Sequence, residues 1–292
     1  MRFATLEIDT GQIVAVINDD LTHFCDVAQL LPGFDGDMVD FIARMPSVSG
    51  VTVPAGAWRE LAQAKVLAPI PLPRRNIFCV GINYHAHARE ISKSGLDTGA
   101  TATESAPPAP VYFTKAPSTV VASGDPVLAF AELTQQLDYE VELGVIIGRG
   151  GRGISKADAL NHVWGYTIIN DVTARDLQQL HRQWFLGKSL DTFCPMGPWI
   201  ITADGVQSDN LGVRCWINDA LRQDANTSDL IFDIPTIIAT LSAGMTLLPG
   251  DIIATGTPAG VGIGFKPPRF LRAGDVMKLE IDGLGTQTNR IV

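Results

Sequence analysis

Short apolar stretches separated by turn residues dominate the hydrophobic pattern of the chain. Runs of about four to eight residues rich in Val, Ile and aromatic side chains, bounded by Gly, Pro, Asn or Asp, are typical of β-strands. The pattern predicts strands on both sides of Gly11 and at residues 77–80, 111–114, 137–147, 164–170, 199–202 and 213–217. Helical spacing predicts helices near residues 37–43, 155–161 and 233–242. Strands therefore outnumber helices.

The pattern also divides the chain near residue 70. Pro69, Pro71 and Pro73 stand close together and are typical of a linker, because proline interrupts regular structure. We predict a small N-terminal α/β domain over residues 1–70 and a larger domain over residues 71–292. The predicted fold class is α+β, predominantly β. Residues 95–110, rich in Gly, Ser, Thr, Ala and Pro, are expected to form a surface loop, either an inert insertion or an active-site lid.

Composition narrows the class of protein. Of the 292 residues, 46% are hydrophobic and 18% are charged, with 28 glycines and 18 prolines, which is typical of a globular chain with many turns. The formal charge of −9 argues against a nucleic-acid or anionic-membrane surface, since either needs a basic face. The four cysteines are scattered, which indicates reduced thiols. The N-terminus lacks a signal-peptide pattern and no run of about 18 apolar residues occurs, so we expect a cytoplasmic protein without membrane spans.

Acidic side chains alternate with apolar ones over residues 137–143. In a strand this alternation places Asp138, Glu140 and Glu142 on one face. One interpretation is an edge strand with a solvated acidic face. The other is a metal site, because the next predicted strand ends at Asp171 and clustered carboxylates suit a hard cation such as Mg²⁺ or Mn²⁺. We favour the metal site; the lack of His or Cys at metal-ligand spacing argues against zinc.

A glycine-rich segment follows the acidic strand. Gly148, Gly150 and Gly153 satisfy the GxGxxG pattern of dinucleotide-binding proteins, with Asp171 at about the expected distance. The first strand of such a fold is buried on both faces and apolar, whereas this one carries acids. The predicted helix also begins at Ser155, after the last glycine, so its N-terminus would not lie under a pyrophosphate. We therefore do not expect NAD to bind.

A histidine and a glutamate lie three residues apart after the strand at residues 77–80. His87 and Glu90 would share one face of a short helix, within hydrogen-bonding reach. A carboxylate bonded to one imidazole nitrogen makes the other nitrogen a better base toward water. The alternative is a solvated pair on the surface. His85 faces elsewhere and is interpreted as a bystander, and the remaining histidines are interpreted as structural: His23, His162 and His181.

Five motifs, in order, resemble those of the fumarylacetoacetate hydrolase superfamily from about residue 76 to the C-terminus. They are GINYHAHARE, DYEVELGVIIG, NDVTARDLQ, GKSLDTFCPMGPWI and ATGTPAGVG. The chain is similar to the branch of acylpyruvases and 2-hydroxyhepta-2,4-diene-1,7-dioate isomerases. The resemblance implies a mixed β-roll core, assembled as a homodimer.

The resemblance also implies roles for individual residues. The metal, Mg²⁺ with Mn²⁺ or Ca²⁺ as substitutes, would be held by three carboxylates: Glu140, Glu142 and Asp171. A pair that activates water and a lysine that stabilises the oxyanion would be the catalytic groups: His87, Glu90 and Lys188. The substrate would be oriented by four further side chains: Arg175, Gln178, Thr257 and Lys115. For the last of these, the alternative is a surface lysine at the end of a strand.

The implied function is chemistry on a small 2-keto acid bound to the metal. We predict hydrolysis of an acylpyruvate, such as fumarylpyruvate or acetylpyruvate, by water that the His87–Glu90 pair activates. The alternative on the same metal site is decarboxylation of oxaloacetate or isomerisation of a hydroxy-dienoate, since neither needs water attack. A third interpretation, a metal- or ligand-binding protein without activity, is disfavoured because the pair, the lysine and the three carboxylates are all present.

Overall fold

The structure is a computed structural model that describes residues 1–94 and 106–292. Its strands are β1 (Arg2–Ile8), β2 (Gly11–Ile17), β3 (His23–Asp26), β4 (Arg59–Glu60), β5 (Lys65–Val66), β6 (Ile77–Gly81), β7 (Val111–Lys115), β8 (Val120–Ala122), β9 (Pro126–Val127), β10 (Leu137–Asp138), β11 (Val141–Ile147), β12 (Val163–Asn170), β13 (Thr173–Ala174), β14 (Cys194–Met196), β15 (Ile200–Thr202), β16 (Gly212–Ile217), β17 (Ala220–Asn226), β18 (Ile252–Ala254), β19 (Val276–Ile281) and β20 (Gly285–Ile291). The α-helices are α1 (Met38–Arg44), α2 (His85–Ser94), α3 (Arg175–Leu180), α4 (Phe185–Lys188) and α5 (Ile234–Ser242). The predominantly β fold predicted from the sequence is confirmed.

The largest sheet of the described chain has the strand order β4-β3-β2-β1-β15-β12-β11-β18-β6-β7, with β5, β8 and β14 paired alongside. Parallel pairing of β18 with β6 and of β14 with β8 makes this sheet mixed. A second sheet has the order β17-β16-β19-β20-β9, and β10 pairs with β13. β11 and β12 lie inside the large sheet and are buried along their whole length. Any polar side chain on these two strands is therefore held away from solvent.

Residues 1–70 continue the large sheet. β1 is hydrogen-bonded to β15, with Phe3 opposite Ile200. One hydrophobic cluster contains Phe3 and Phe41 from this part of the chain together with Trp164 and Ile252 from the remainder. The domain boundary at residue 70 stays a prediction, and both the strand pairing and the core extend across it.

The helices predicted near residues 37–43 and 233–242 are confirmed as α1 and α5. The Asp37 carboxylate accepts the backbone N–H of Asp40 at 2.9 Å, and the Asp40 carboxylate accepts the N–H of Asp37 at 3.3 Å, which forms a capping box. Asp233 caps α5 by accepting the N–H of Thr236 at 2.8 Å. In both cases a short acidic side chain sets the first residue of the helix.

The helix predicted at residues 155–161 is wrong. The chain forms a turn there, followed by a single 3-10 turn at Ala159–His162. The Ser155 carbonyl and hydroxyl oxygens both accept the N–H of Asp158, at 3.1 and 3.3 Å. Local side-chain bonds of this kind compete with helical ones, and here they close the turn instead.

The GxGxxG segment, residues 148–153, packs against the chain near Leu247. Gly151 and Leu247 form an isolated β-bridge with two hydrogen bonds of 3.0 and 2.8 Å. A Cβ on Gly150 would lie 2.7 Å from the Leu247 carbonyl oxygen, so this close approach requires glycine. The glycines of this segment therefore have a packing role.

Three further expectations concern a loop, the thiols and membranes. The loop predicted at residues 95–110 falls largely on residues 95–105, outside the described residues. All four cysteines are buried and form no disulfide. None of the helices in the described ranges is long and apolar enough to cross a bilayer.

Candidate active site

Three carboxylates meet where β11 begins and β12 ends. Glu142 lies on β11, Glu140 immediately precedes that strand, and Asp171 follows β12. Antiparallel pairing of Val141 with Asn170 brings these positions side by side. One oxygen from each carboxylate lies within 4.8 Å of the others, and none of the three residues is more than 4% exposed. The edge-strand interpretation is wrong, because β11 has β12 on one side and β18 on the other. We call these three residues the triad.

The strand predicted over residues 137–147 is interrupted after Asp138, which separates that acid from the triad. Asp138 ends β10, where it pairs with Thr173 of β13. Glu140 lies between β10 and β11, and its carbonyl oxygen accepts the N–H of Asp171 at 2.9 Å. The simple alternation of the sequence therefore does not put all three acids of the segment into one set of contacts.

Two buried lysines offset part of the negative charge of the triad. Lys188, at the end of α4, places Nζ 2.7 Å from Glu140 Oε2 and 2.7 Å from Asp171 Oδ2. Lys115, at the end of β7, places Nζ 2.6 Å from Asp171 Oδ1 and 3.1 Å from the Val172 carbonyl oxygen, and it donates to the Lys188 carbonyl. Lys115 is fully buried, so its interpretation as a surface lysine is wrong.

Arg175, the first residue of α3, connects two carboxylates. Its Nε donates to Asp138 Oδ2 at 2.9 Å and its Nη1 donates to Gln178 Oε1 at 3.3 Å. Nη2 lies 2.6 Å from Glu140 Oε1, as an ion pair without hydrogen-bond geometry. Because guanidinium N–H groups are directional donors, Nη2 keeps donor capacity for a ligand.

The electrostatics differ between members of the triad. Burial opposes ionisation of Glu140, but the attraction of Lys188 and Arg175 outweighs burial and holds the pKa of Glu140 well below its usual range. For Glu142 the balance is opposite: burial, together with the negative charges of Asp171 and Glu140, raises its pKa well above the ordinary value. One member of the triad is therefore unfavourable as a carboxylate in the metal-free protein.

Glu142 is the triad carboxylate that has no cationic partner within the described residues. Within the described residues it makes no ion pair, and its carboxylate accepts one hydrogen bond, from the Gly256 N–H at 2.8 Å. Counting Glu142, four buried carboxyl groups (the triad and Asp138) lie among three buried cationic side chains: Lys115, Lys188 and Arg175. A buried carboxylate without a cation is strongly unfavourable. A divalent ion held by three oxygen donors fits this site, since hard cations such as Mg²⁺, Mn²⁺ and Ca²⁺ prefer such ligands.

The predicted pair of His87 and Glu90 is formed on α2. His87 Nδ1 lies 3.1 Å from Glu90 Oε2, and His87 is 4% exposed, so the interpretation as a solvated surface pair is wrong. Glu90 Oε1 accepts the Gly260 N–H at 2.9 Å. Since the carboxylate is bonded to Nδ1, Nε2 is the nitrogen left for a substrate proton. His85, on the same helix, is exposed.

One pocket is lined both by His87 of the pair and by two carboxylates of the triad, Glu140 and Glu142. Its polar lining consists of residues predicted from the sequence: His87, Glu140, Glu142, Arg175, Gln178, Lys188 and Thr257. Its apolar wall consists of Val80, Gly81, Ile82, Ile91, Phe113 and Trp184. Three predicted residues support this lining from behind: Glu90, Asp171 and Lys115. The structure thus brings every predicted site residue into one region.

Three elements of the site have structural roles that were not predicted from the sequence. Asp138 holds Arg175. Gln223 Nε2 donates to the Thr257 hydroxyl at 2.7 Å and fixes its position. The third element is the turn at residues 260–264, whose backbone holds Glu90. Alternate glycines at positions 260, 262 and 264 are the signal for such a close approach.

Comparison with known proteins assigns this geometry to a family. Residues 76–292 match the family described as Fumarylacetoacetate (FAA) hydrolase C-terminal. The chain is 44% identical over 310 aligned residues to oxaloacetate tautomerase YisK of Bacillus subtilis strain 168, with 100% of each chain covered. It is 43% identical over 230 residues to mitochondrial oxaloacetate tautomerase fahd2 of Xenopus laevis, covering 78% of this chain and 68% of that protein.

A solved structure shows the same relationship. The fumarylacetoacetate hydrolase of psychrophilic Exiguobacterium antarcticum superposes with a TM-score of 0.85 at 43% identity, covering 100% of this chain and 99% of that one. The chain therefore belongs to the fumarylacetoacetate hydrolase family and is an enzyme of that family. The family predicted from the sequence motifs is confirmed.

Proposed function

We propose that this enzyme interconverts the keto and enol tautomers of oxaloacetate. The observation that carries the proposal is that the chain is 44% identical along its whole length to an oxaloacetate tautomerase. It is supported by the pocket, which His87 and two carboxylates of the triad line together. The relatives thus favour oxaloacetate, part of the alternative of the sequence analysis, over its main prediction of acylpyruvate hydrolysis. The alternative predicted from the sequence is decarboxylation of that substrate, whereas tautomerisation requires only proton transfer.

The triad holds Mg²⁺ in this proposal, with Mn²⁺ or Ca²⁺ as substitutes. When bound, the ion supplies Lewis-acid stabilisation of negative charge on the substrate oxygens. In the metal-free protein Lys188 and Arg175 hold the pKa of Glu140 well below its usual range, and Lys188 Nζ lies 2.7 Å from Asp171 Oδ2. Glu142, which makes no ion pair within the described residues, would gain a cation from the bound ion.

Cationic and polar side chains of the pocket bind a dicarboxylate. Arg175 Nη2 has donor capacity for a substrate carboxylate, and Gln178, beside it on α3, is bonded to Nη1. The Thr257 hydroxyl is positioned by Gln223.

Proton transfer is assigned to the His87–Glu90 pair. His87 takes a proton from C3 of the keto form, the C–H electron pair becomes the C2–C3 double bond, and the carbonyl pair moves onto the 2-oxygen. His87 returns a proton to that oxygen, and the reverse sequence regenerates the keto form. No water, oxidant or leaving group is required. Lys188 stabilises the negative charge that develops on the 2-oxygen, as donors at such positions do.

Enol oxaloacetate, dissolved immediately before use, provides the test. Loss of the enol absorbance and consumption of the keto form by malate dehydrogenase with NADH are followed together. We expect acceleration over the spontaneous rate, its removal by EDTA and its recovery with Mg²⁺. Binding of Mg²⁺ without any acceleration would reject the proposal. Pyruvate release is measured in parallel, since it separates tautomerisation from decarboxylation.

Hydrolysis of an acylpyruvate is the second candidate. The observation that favours it is the carboxylate-bonded, buried His87, which has the chemistry to activate water as well as to move a substrate proton. Fumarylpyruvate and acetylpyruvate distinguish the two functions. Pyruvate release from either, at a rate comparable to oxaloacetate turnover, would make hydrolysis the preferred assignment.

We also propose a homodimer, from the family resemblance, and a cytoplasmic location, from the scattered cysteines and the absence of a signal-peptide pattern in the sequence. Light scattering across a range of protein concentrations tests the first. A monomer at every concentration would reject it.

A further inference from the structure

Asp138 is a fully buried carboxylate that the proposed chemistry leaves without a role. Its Oδ1 accepts the N–H groups of Gly262 at 2.6 Å and Tyr139 at 3.0 Å. Its Oδ2 accepts the Ile263 N–H at 3.0 Å and Arg175 Nε at 2.9 Å. A carboxylate has about four lone-pair positions, so its acceptor capacity is used up. Asp138 therefore acts on the site through the groups it holds.

One of those groups is the glycine turn, defined here as residues 260–264, which contacts a second carboxylate. Gly260 N–H donates to Glu90 Oε1 at 2.9 Å. A Cβ on Gly264 would overlap the Glu90 carboxylate, and a Cβ on Gly262 would lie 2.6 Å from Asp138 Oδ1. The turn thus lies between Asp138 and Glu90 and contacts both through backbone atoms that only glycine leaves accessible.

Apolar contacts also hold α2 against the glycine turn. Ile91, the residue after Glu90 on α2, forms a small cluster with Val261 and Ile263 of the glycine turn. Beyond the turn, the Leu271 N–H donates to the Leu137 carbonyl of β10 at 2.7 Å. β10 therefore fixes both the turn and the segment that follows it.

We propose that Asp138 is a positioning residue for the His87–Glu90 pair. It anchors the glycine turn, whose Gly260 N–H is hydrogen-bonded to Glu90, and the same carboxylate accepts a hydrogen bond from Arg175. The group that binds substrate and the helix that carries the base thus share one anchor, so disturbing it displaces both. The inference rests on the proposed function only in taking the pair as the proton carrier.

The first test is Asp138→Asn, which keeps the shape but turns one acceptor oxygen into a donor nitrogen that faces two N–H groups. We expect kcat to fall about 10- to 100-fold, as small displacements of reacting groups do, while Mg²⁺ affinity stays nearly unchanged because the triad is intact. Asp251→Asn is the matched control. Asp251 is also buried, and it accepts the Leu248 N–H at 2.8 Å and a hydrogen bond from Arg75 Nη1 at 2.9 Å. It immediately precedes β18, whereas Gly256, which contacts the triad, follows that strand. We expect this control to keep its kcat.

The decisive measurement is a double-mutant cycle with Glu90→Gln. If Asp138 acts by holding the glycine turn against Glu90, its replacement should matter little once Glu90 is gone, because coupled sites are not additive. In the Glu90→Gln background, Asp138→Asn should therefore lower kcat by less than about threefold. Loss of the Arg175 contact should remain visible in KM. An equal factor in both backgrounds would overturn the inference, since a merely structural role is additive.

Two provisions keep the test decisive. If Asp138→Asn does not fold, Gly262→Ala takes its place in the cycle, because its methyl group displaces Asp138 Oδ1 directly. If the wild type lacks tautomerase activity, the proposed function fails, and the positioning role is read from hydrogen exchange of the α2 amides. Asp138→Asn should then speed that exchange relative to Asp251→Asn. Equal exchange in the two variants would overturn the inference.

Discussion

The triad and the His87–Glu90 pair both contribute side chains to the lining of one pocket, but they are held in different ways. The triad lies beside interior strands with neighbours on both sides, and two of its members contact buried lysines. The pair lies on α2, a helix of ten residues that rests on the glycine turn through one backbone hydrogen bond and a small apolar cluster. So short a helix has little stability of its own and depends on packing.

This difference separates the consequences of mutation. A change in the triad alters a buried charge balance and should be seen in metal binding and in stability. A change in the pair or in the glycine turn should lower the rate of proton transfer and leave metal binding unchanged. The following predictions use this separation.

Glu142→Gln should have the largest effect on activity. We expect loss of Mg²⁺ binding and of measurable turnover, yet a metal-free protein that is more stable by about 1–2 kcal/mol, since folding no longer buries a carboxyl group whose pKa it must raise. Because burial raises the pKa of Glu142, this gain should be present at neutral pH. It should vanish as the pH falls below the usual glutamate range, where the wild-type side chain is neutral in the folded and unfolded states.

Urea unfolding in EDTA and calorimetric titration with Mg²⁺ provide the measurements for Glu142→Gln. Glu140→Gln is the matched control: Lys188 and Arg175 hold its pKa below the usual range, so this change should destabilise the metal-free protein. A metal-free Glu142→Gln protein less stable than wild type would contradict the assigned charge balance.

His87→Ala should lower kcat by about 10²- to 10⁴-fold, the usual range for loss of a general base, with Mg²⁺ affinity nearly unchanged. Steady-state kinetics and metal titration check the two parts separately. His85→Ala, an exposed position on the same helix, should keep its activity. Normal turnover by His87→Ala would remove the pair from the proposed mechanism.

Lys188→Met should affect both the reaction rate and the charge balance of the triad. We expect kcat at saturating Mg²⁺ to fall by about 10²- to 10³-fold, as for loss of one oxyanion donor. Mg²⁺ affinity should not fall, because the change removes a positive charge 2.7 Å from two triad carboxylates. A variant that loses the metal but reaches the full rate at high Mg²⁺ would show that Lys188 serves only the triad.

Local patterns were enough to predict the triad and the pair, but not the long-range contacts that support them. Glu142 follows from alternation along a strand, and Glu90 follows from helical spacing after His87. The contact of Asp138 with Arg175 spans 37 positions, and that of Lys115 with Asp171 spans 56. Contacts at such separations depend on which strands pair, so a single sequence without its fold does not indicate them.

The two glycine-rich segments show the same limit. The pattern at residues 148–153 matches a known fingerprint but contacts the Leu247 backbone. The less familiar pattern at residues 260–264 holds two carboxylates of the site. Glycine spacing indicates that something approaches the backbone closely, and only the structure shows whether it is another stretch of backbone or a functional side chain.

Gly150→Ala should have the smallest effect on activity and so sharpens this last contrast. Its methyl group would lie 2.7 Å from the Leu247 carbonyl oxygen, and such overpacking destabilises by about 1–3 kcal/mol. Because the backbone hydrogen bonds of the segment join it to His162, Ser242 and Leu247, none of which lines the pocket, kcat should stay within about twofold of wild type, as expected for independent sites. Gly262→Ala, with a methyl group 2.6 Å from Asp138 Oδ1, should lose rate as well as stability. Unfolding curves and kinetics on the two variants make the comparison, and an equal loss of kcat in both would mean that the glycine turn has no special connection to the reaction.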